Sequence, residues 1–130
     1  MDFYIDENLP PKVAHALHAL ERPDGYNVYS IQETFGKGIL DTDLIPKLAE
    51  VSGTLITHDF RLLTRKNEFK LLKDCGITVF FVSLPSGCNF ALMYQIIIGN
   101  WETIKKLYSK EKRPFLCKIL QRGKPDILGD

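Results

Sequence analysis

Short apolar segments of β character alternate with segments of helical periodicity along this chain of 130 residues. The β segments are rich in β-branched and aromatic residues and cover residues 2–6, 26–31, 53–57, 77–82 and 115–120. Apolar residues recur at helical spacing in the segments between them, which cover residues 10–21, 42–51, 61–74 and 90–108. This alternation predicts an α/β fold with three layers (α/β/α), in which helices flank a central, mostly parallel, doubly wound sheet.

The length of the chain suits one compact domain with a single core. We expect residues 1–121 to form this domain and residues 122–130 to be a frayed tail. Residues 32–40 contain two glycines and are predicted to form a loop. Pro46 fits only the first turn of a helix, which favours a helix start near Thr42 or Asp43.

The spacing of the cysteines and the distribution of apolar residues indicate where in the cell the protein is expected. The three cysteines are far apart and form no C-x-x-C motif, which is typical of reduced thiols in a cytoplasmic protein. No early apolar run has the form of a signal peptide, because acidic residues interrupt it. Residues 76–100 carry no charge, but the Leu-Pro-Ser-Gly sequence at 84–87 divides them into pieces too short to cross a bilayer. We therefore expect a cytoplasmic protein without membrane contact.

Acidic residues stand where the predicted elements meet. Asp6 and Asp59 follow the first and third β segments, and Asp41 and Asp43 precede a helix. The functional crevice of a doubly wound sheet lies beyond the carboxyl ends of its strands. If the first and third strands are neighbours, all four carboxylates share that edge. Taken singly, each acid could instead cap the helix that follows it, as we expect Asp43 to do.

Carboxylate oxygens are the ligands that Mg²⁺ and Mn²⁺ prefer. The pattern therefore predicts a catalytic metal site for Mg²⁺ or Mn²⁺ formed by Asp6, Asp41, Asp43 and Asp59. A divalent ion in such a site can activate water and offset the charge on a cleaving phosphodiester. Asn8 and Thr57 also stand at strand ends, where they could support the metal ligands, but we expect Asn8 to cap the first helix instead.

The charge of the chain is divided unevenly. Residues 1–60 carry four Lys or Arg and ten Asp or Glu, whereas residues 61–130 carry thirteen and six. This division fits a metal site beside a surface for a polyanion, and a chance gradient of solvated charges would look the same. Arg61 and Arg65 are four apart on a predicted helix that starts at the acidic edge. Together with Lys66 they are candidates for binding nucleic-acid phosphates, or else they form a solvated helix face.

Four short motifs, each present once, follow one another along most of the chain. They are Phe-x-x-Asp-x-Asn-Leu at residues 3–9, Asp-x-Asp-Leu-Ile-Pro at 41–46, Ile-Thr-x-Asp at 56–59 and Trp-x-x-Ile at 101–104. Together they resemble the PIN-domain ribonuclease superfamily, specifically the PIN-like group related to VapC-type toxins. The resemblance implies a PIN-like fold and a metal-dependent endoribonuclease with Asp6, Asp41, Asp43 and Asp59 in its acidic site. It also implies an RNA substrate and an antitoxin protein as partner. The sequence leaves the oligomeric state open, and a homodimer is one assembly to test.

One departure from this family pattern matters for activity. Typical PIN nucleases carry a further acid somewhat beyond the third-strand aspartate, where this chain has Arg61 and Arg65. A site without that carboxylate would bind an ion weakly, or stay inactive until the substrate supplies ligands. A catalytically weak or inactive PIN-like module that binds RNA or protein is therefore an alternative. A receiver-like phosphoryl-accepting domain is a further one, but it needs a lysine after the fifth strand, and Lys118 lies within that strand.

Overall fold

A computed structural model describes residues 1–129 of the chain. The strands of this part are β1 (Asp2–Ile5), β2 (Asn27–Ser30), β3 (Thr54–Thr57), β4 (Val79–Val82), β5 (Leu116–Ile119) and β6 (Asp126–Ile127). Its α-helices are α1 (Pro11–Glu21), α2 (Ile31–Phe35), α3 (Asp41–Glu50), α4 (Lys66–Cys75), α5 (Phe90–Gly99) and α6 (Trp101–Lys110). Two 3-10 helices cover Arg22–Asp24 and Phe60–Leu63.

The strands form one sheet in the order β2-β1-β3-β4-β5-β6, in which all neighbours are parallel except β5 and β6. The predicted α/β class with a mostly parallel, doubly wound sheet is confirmed. The chain passes from β1 outward to β2 and then returns to the other side of β1 as β3. Ile5 consequently lies beside Ile56. The carboxyl ends of β1 and β3 form the topological switch point, where ligands bind in sheets of this kind.

Two apolar layers hold the helices against the sheet. Alternate side chains of each strand point to opposite faces, so that Phe3 packs against α1, α5 and α6 and Tyr4 packs against α3 and α4. The Phe3 ring lies 5.1 Å from Trp101 and 5.0 Å from Tyr108, measured between ring centroids. These aromatic residues of α6 are buried core residues. The three-layer arrangement follows from strands that are apolar on both faces.

The predicted long helix over residues 90–108 is instead two helices, α5 and α6, which meet at Asn100. The Asn100 side chain donates a hydrogen bond to the carbonyl of Ile96 at 2.8 Å. Glycine at position 99 and an asparagine side chain that binds backbone groups both weaken a continuing helix. Each of the two helices is ten residues long. In residues 1–129 no helix has the length and apolar character needed to cross a membrane.

The predicted helix over residues 61–74 also divides, into the 3-10 helix Phe60–Leu63 and α4. The Thr64 hydroxyl donates to the carbonyl of Arg61 at 3.1 Å, and Arg65 is extended at the start of α4. A side chain that takes a backbone carbonyl in this way competes with the regular helical bond. Arg61 and Arg65 therefore do not share one helix face, contrary to the prediction.

Three smaller differences concern residues 31–50 and the C-terminal segment. The predicted loop at 32–40 begins with the short helix α2, which is capped by the Ser30 side chain. Helix α3 starts at Asp41 and contains Pro46 in its interior rather than in its first turn. In the predicted tail at 122–130, β6 pairs with β5 and the backbone amide of Leu128 donates to Leu116 at 2.8 Å. The tail is therefore ordered by edge pairing, and position 130 lies outside the described residues.

Candidate active site

A crevice of about 210 Å³ opens at the topological switch point. Its polar lining comes from the ends of β1 and β3, the start of α3 and the 60–65 segment, and it consists of Asp6, Glu7, Asn8, Asp41, Thr57, Asp59, Arg61 and Arg65. Leu44, Leu55 and Leu62 are among its apolar lining residues, and all three are buried. Because these elements are fixed by the core beneath, the crevice brings together side chains that are far apart in sequence.

Thr57 connects the two strand ends at the bottom of this site. Its hydroxyl donates to Asp6 Oδ2 at 2.7 Å and accepts a hydrogen bond from the backbone amide of Asp59 at 3.0 Å. The Thr57 side chain is buried, at 2% exposure. A buried hydroxyl with both a donor and an acceptor partner fixes the positions of both. The structure thus places Thr57 where a residue that supports metal ligands would stand.

Asp6 follows β1 and continues its pairing, since its backbone amide donates to the carbonyl of Ile56 at 3.0 Å. Its second carboxylate oxygen accepts from the backbone amide of Asn8 at 3.2 Å. The Asn8 side chain is exposed, and the cap position of α1 is Pro10, where no side-chain cap is made. The predicted helix-capping role of Asn8 is therefore wrong, and its contact with Asp6 is made by the backbone.

Asp41 is the first residue of α3 and lies half-buried in the crevice. Burial, together with the negative charges of Asp59 and Asp6, raises the pKa of the Asp41 carboxyl, while the charge of Arg65 opposes this shift. Like charges in a shared site disfavour the ionised form in this manner. Asp41 therefore lies within electrostatic reach of both Asp59 and Asp6, as a common site requires.

Asp43 lies outside this site, contrary to the prediction that it is a catalytic and metal-binding residue. It is exposed and does not line the crevice. An α-helix turns by about 100° per residue, so side chains two positions apart, such as Asp41 and Asp43, point in widely different directions. Asp43 also does not cap α3, because Leu40 is at the cap position and no side-chain bond is made there.

Asp59 is held in a forked ion pair with Arg61. Its Oδ1 accepts from Arg61 Nε at 2.9 Å and from the Arg61 backbone amide at 3.1 Å, and its Oδ2 accepts from Arg61 Nη2 at 3.3 Å. Partial burial by itself would raise the pKa of Asp59, but the hydrogen bonds and positive charge of Arg61, together with the charge of Arg65, bring that pKa below its usual value. The same hydrogen bond and the Asp59 charge raise the pKa of the Arg61 guanidinium.

Glu7 is a lining residue that the sequence patterns did not single out. Its Oε2 accepts a hydrogen bond of 2.7 Å from the backbone amide of Gly38. Gly38 has φ of 80°, a left-handed conformation that glycine adopts without strain. The carboxylate thereby ties the 36–40 loop to the crevice. The glycines at positions 36 and 38 could have indicated this loop from the sequence, because glycine adopts left-handed backbone conformations without strain.

The basic residues of the second half are spread over both edges of the sheet. Arg61 and Arg65 line the crevice, and Lys66 is exposed at the start of α4. Arg113 lies at the opposite edge, in a pocket with Gly53 and Thr78, and its guanidinium stacks on Tyr108 at 4.1 Å. Few candidate phosphate-binding residues therefore lie near the carboxylates of the crevice.

A family model described as a PIN like domain matches residues 1–84. The match covers β1 to β4 and every residue of the crevice described above. The chain belongs to the PIN-like domain family. No curated protein and no solved structure matches the chain. In this PIN-like domain, α5, α6, β5 and β6 lie beyond the matched residues.

The donor set of the crevice suits a divalent ion only in part. Its carboxylate oxygens are the hard ligands that Mg²⁺ and Mn²⁺ prefer. Within residues 1–129, however, no three His, Cys, Asp or Glu side chains are arranged so that they could hold an ion. Arg61 instead occupies both oxygens of Asp59. Since Mg²⁺ is usually bound by one or two carboxylates with waters and substrate phosphates, the residues fit an ion that binds together with substrate.

Proposed function

We propose that this PIN-like domain is a Mg²⁺- or Mn²⁺-dependent endoribonuclease that hydrolyses phosphodiester bonds in RNA. One observation carries the proposal: Asp6, Asp41 and Asp59, from three different elements, line one crevice at the switch point of the sheet. Carboxylates gathered in this way repel one another and favour the binding of a cation. Two arginines in the same crevice add a means of binding the phosphates of the substrate.

The residues of the crevice divide into those that hold the ion and those that position them. Asp6, Asp41 and Asp59 supply the negative charge that attracts the ion, which one or two of them would bind directly together with water and substrate phosphate oxygens. An ion bound there would supply an activated water and offset charge on the phosphate. Thr57 fixes the Asp6 carboxylate and the backbone at Asp59. Because Thr57 is buried and fully bonded, the two strand ends stay in register when the substrate binds.

Arg61 and Arg65 bind the substrate phosphates in this proposal. Both are exposed at the mouth of the crevice, and a guanidinium presents two parallel donors to phosphate oxygens. Lys66 follows at the start of α4 and extends the positive surface along the RNA.

We further propose that the domain acts in the cytoplasm as the toxin of a toxin–antitoxin pair. The proposal rests on the family and on the resemblance of its motifs to VapC-type toxins. A surface for a partner protein is available on α5, where Phe90 is 64% exposed and Ile98 is 43% exposed. Purification with the neighbouring gene product, followed by a cleavage assay with and without it, tests this assignment.

A second function is favoured by the ion pair at Asp59. If Arg61 stays on Asp59 when RNA binds, the domain is a PIN-like RNA-binding or protein-binding module without appreciable catalysis. The forked geometry of that pair and the absence of three suitably placed metal ligands within residues 1–129 support this alternative. RNA binding without cleavage in either Mg²⁺ or Mn²⁺ would establish it.

Cleavage of single-stranded RNA by matched Asp→Asn variants tests the nuclease. We expect the wild-type protein to cleave in Mn²⁺ and to be inactive in excess EDTA. Asp6→Asn, Asp41→Asn and Asp59→Asn should each reduce the rate about a hundredfold or more, because each removes a charge that holds the ion. Asp43→Asn is the control, since it makes the same change on α3 outside the crevice. Equal losses in the Asp43 and Asp41 variants would contradict the proposed site.

A further inference from the structure

Asp59 and Arg61 form a complete ion pair inside the crevice. Two guanidinium nitrogens face the two carboxylate oxygens, at 2.9 Å and 3.3 Å, and the Arg61 backbone amide adds a third bond at 3.1 Å. Each carboxylate oxygen has two acceptor sites, so these bonds fill both sites of Oδ1 and one of Oδ2, and the guanidinium charge already offsets the negative charge that a divalent ion would bind. The side chain of Arg61 thus stands where it competes with a cation for Asp59.

The two partners differ strongly in exposure. The Asp59 side chain is 16% exposed, whereas that of Arg61 is 68% exposed. The Arg61 guanidinium can therefore leave the carboxylate toward solvent without disturbing the core. Its backbone stays fixed, because the Arg61 carbonyl accepts bonds of 3.0 Å from the amides of Thr64 and Arg65. Because the guanidinium is mostly exposed, solvent screens its side of the pair and lowers the free energy that the exchange requires.

We propose that Arg61 is an internal counterion of the substrate-free protein that transfers its guanidinium from Asp59 to a substrate phosphate. The transfer frees Asp59 for the divalent ion. This inference rests on the proposed nuclease function and adds a role for a residue that takes no part in holding the ion. Since the phosphate removes the competitor of the ion, phosphodiester and ion bind cooperatively, and each raises the affinity for the other.

Arg65 provides a matched comparison. It lines the same crevice and lowers the pKa of Asp59 by its charge, but it makes no hydrogen bond to that carboxylate. Removal of Arg65 changes the electrostatic field of the site without changing the occupancy of Asp59. An effect of direct competition must therefore be larger for Arg61 than for Arg65.

Mn²⁺ binding to the full chain, measured by electron paramagnetic resonance without RNA, tests the proposal. Arg61→Gln should bind Mn²⁺ about two- to fivefold more tightly than the wild-type protein at low ionic strength, and Arg65→Gln should show a smaller gain. In an Asp59→Asn background the additional gain from Arg61→Gln should vanish, because the two residues no longer compete. Arg61→Lys keeps the charge without the fork and should give an intermediate affinity. A thermal unfolding curve of each variant verifies that it is folded.

The coupling to phosphodiester is measured with dimethyl phosphate, which is inert to hydrolysis. It should increase the Mn²⁺ affinity of the wild-type protein more than that of Arg61→Gln. Equal Mn²⁺ affinities of the wild-type protein and Arg61→Gln would overturn the counterion role, as would a gain that persists unchanged with Asp59→Asn. RNA cleavage by the wild-type protein in that case would leave the nuclease function standing. Failure of every variant to bind Mn²⁺ would overturn both proposals together.

Discussion

At the scale of single residues, the residues that follow the strands determine which side chains form the site. Asp6 and Asp59 could be placed from the sequence, because each directly follows an apolar segment and parallel strands end at one edge. The choice between Asp41 and Asp43 could not be made in the same way. A shift of one residue in the helix start turns every side chain by about 100°, and the sequence left that start uncertain. The pairing of Asp59 with Arg61 was equally hidden, since it depends on the 3-10 helix Phe60–Leu63.

Replacement of Thr57 by valine tests the link between the strand ends. The substitution keeps the shape of the side chain but leaves the amide of Asp59 and one oxygen of Asp6 without their partner. We expect a loss of about 1–3 kcal/mol in the free energy of unfolding and a decrease of about ten- to a hundredfold in Mn²⁺ affinity. Urea denaturation and Mn²⁺ titration measure the two effects. Thr57→Ser retains the hydroxyl and should stay close to wild type, and a loss as large as that of the valine variant would show that the methyl group matters instead.

At the scale of elements, local side-chain bonds explain where pattern and structure differ. The strands β3 and β4 are fully buried, and their apolar sequences predict them directly. The break between α5 and α6 and the break before α4 depend on single polar side chains, Asn100 and Thr64, that bind backbone carbonyls. Such bonds interrupt a helix without altering the apolar periodicity on which the prediction rests. The pairing of β6 is likewise absent from the pattern, because a strand of two residues has no periodicity.

The thiol of Cys117 in β5 makes the free energy of unfolding depend on pH. Burial, and to a lesser extent the charge of Asp126, raises the pKa of Cys117 from 9.0 to about 11. Because the unfolded chain releases this proton at lower pH than the folded protein, its contribution to stability is complete below pH 9 and is lost as the pH rises toward 11. The loss amounts to about 2–3 kcal/mol at high pH.

Urea denaturation across this pH range, compared between the wild-type protein and Cys117→Ala, measures the loss. The alanine variant is less stable at neutral pH because of the cavity it creates, but its stability should fall less between pH 9 and 11. Parallel pH profiles for the two proteins would show that Cys117 ionises with the same pKa in the folded and unfolded states.

At the scale of the whole molecule, the topology places the acidic crevice and the distribution of charge limits its partners. Because β2 and β3 lie on opposite sides of β1, the strand order reverses there, and the crevice opens at this topological switch point. The sequence predicted this edge correctly from the alternation of elements. It could not predict where the basic residues lie, because charge counted along the chain does not follow the surface. Arg113 belongs to the basic half and yet lies at the edge opposite the crevice.

The central claim is the proposal that a divalent ion binds together with the substrate in the crevice lined by Asp6, Asp41 and Asp59. Crystals grown with a short RNA and soaked in Mn²⁺, with diffraction recorded at the manganese absorption edge, test it directly. The account predicts an anomalous peak between Asp6 and Asp59, with Arg61 turned from Asp59 to a phosphate and Asp43 remote from the ion. A map with bound RNA, no anomalous peak in the crevice and Arg61 still paired with Asp59 would contradict it and would identify the domain as a binding module.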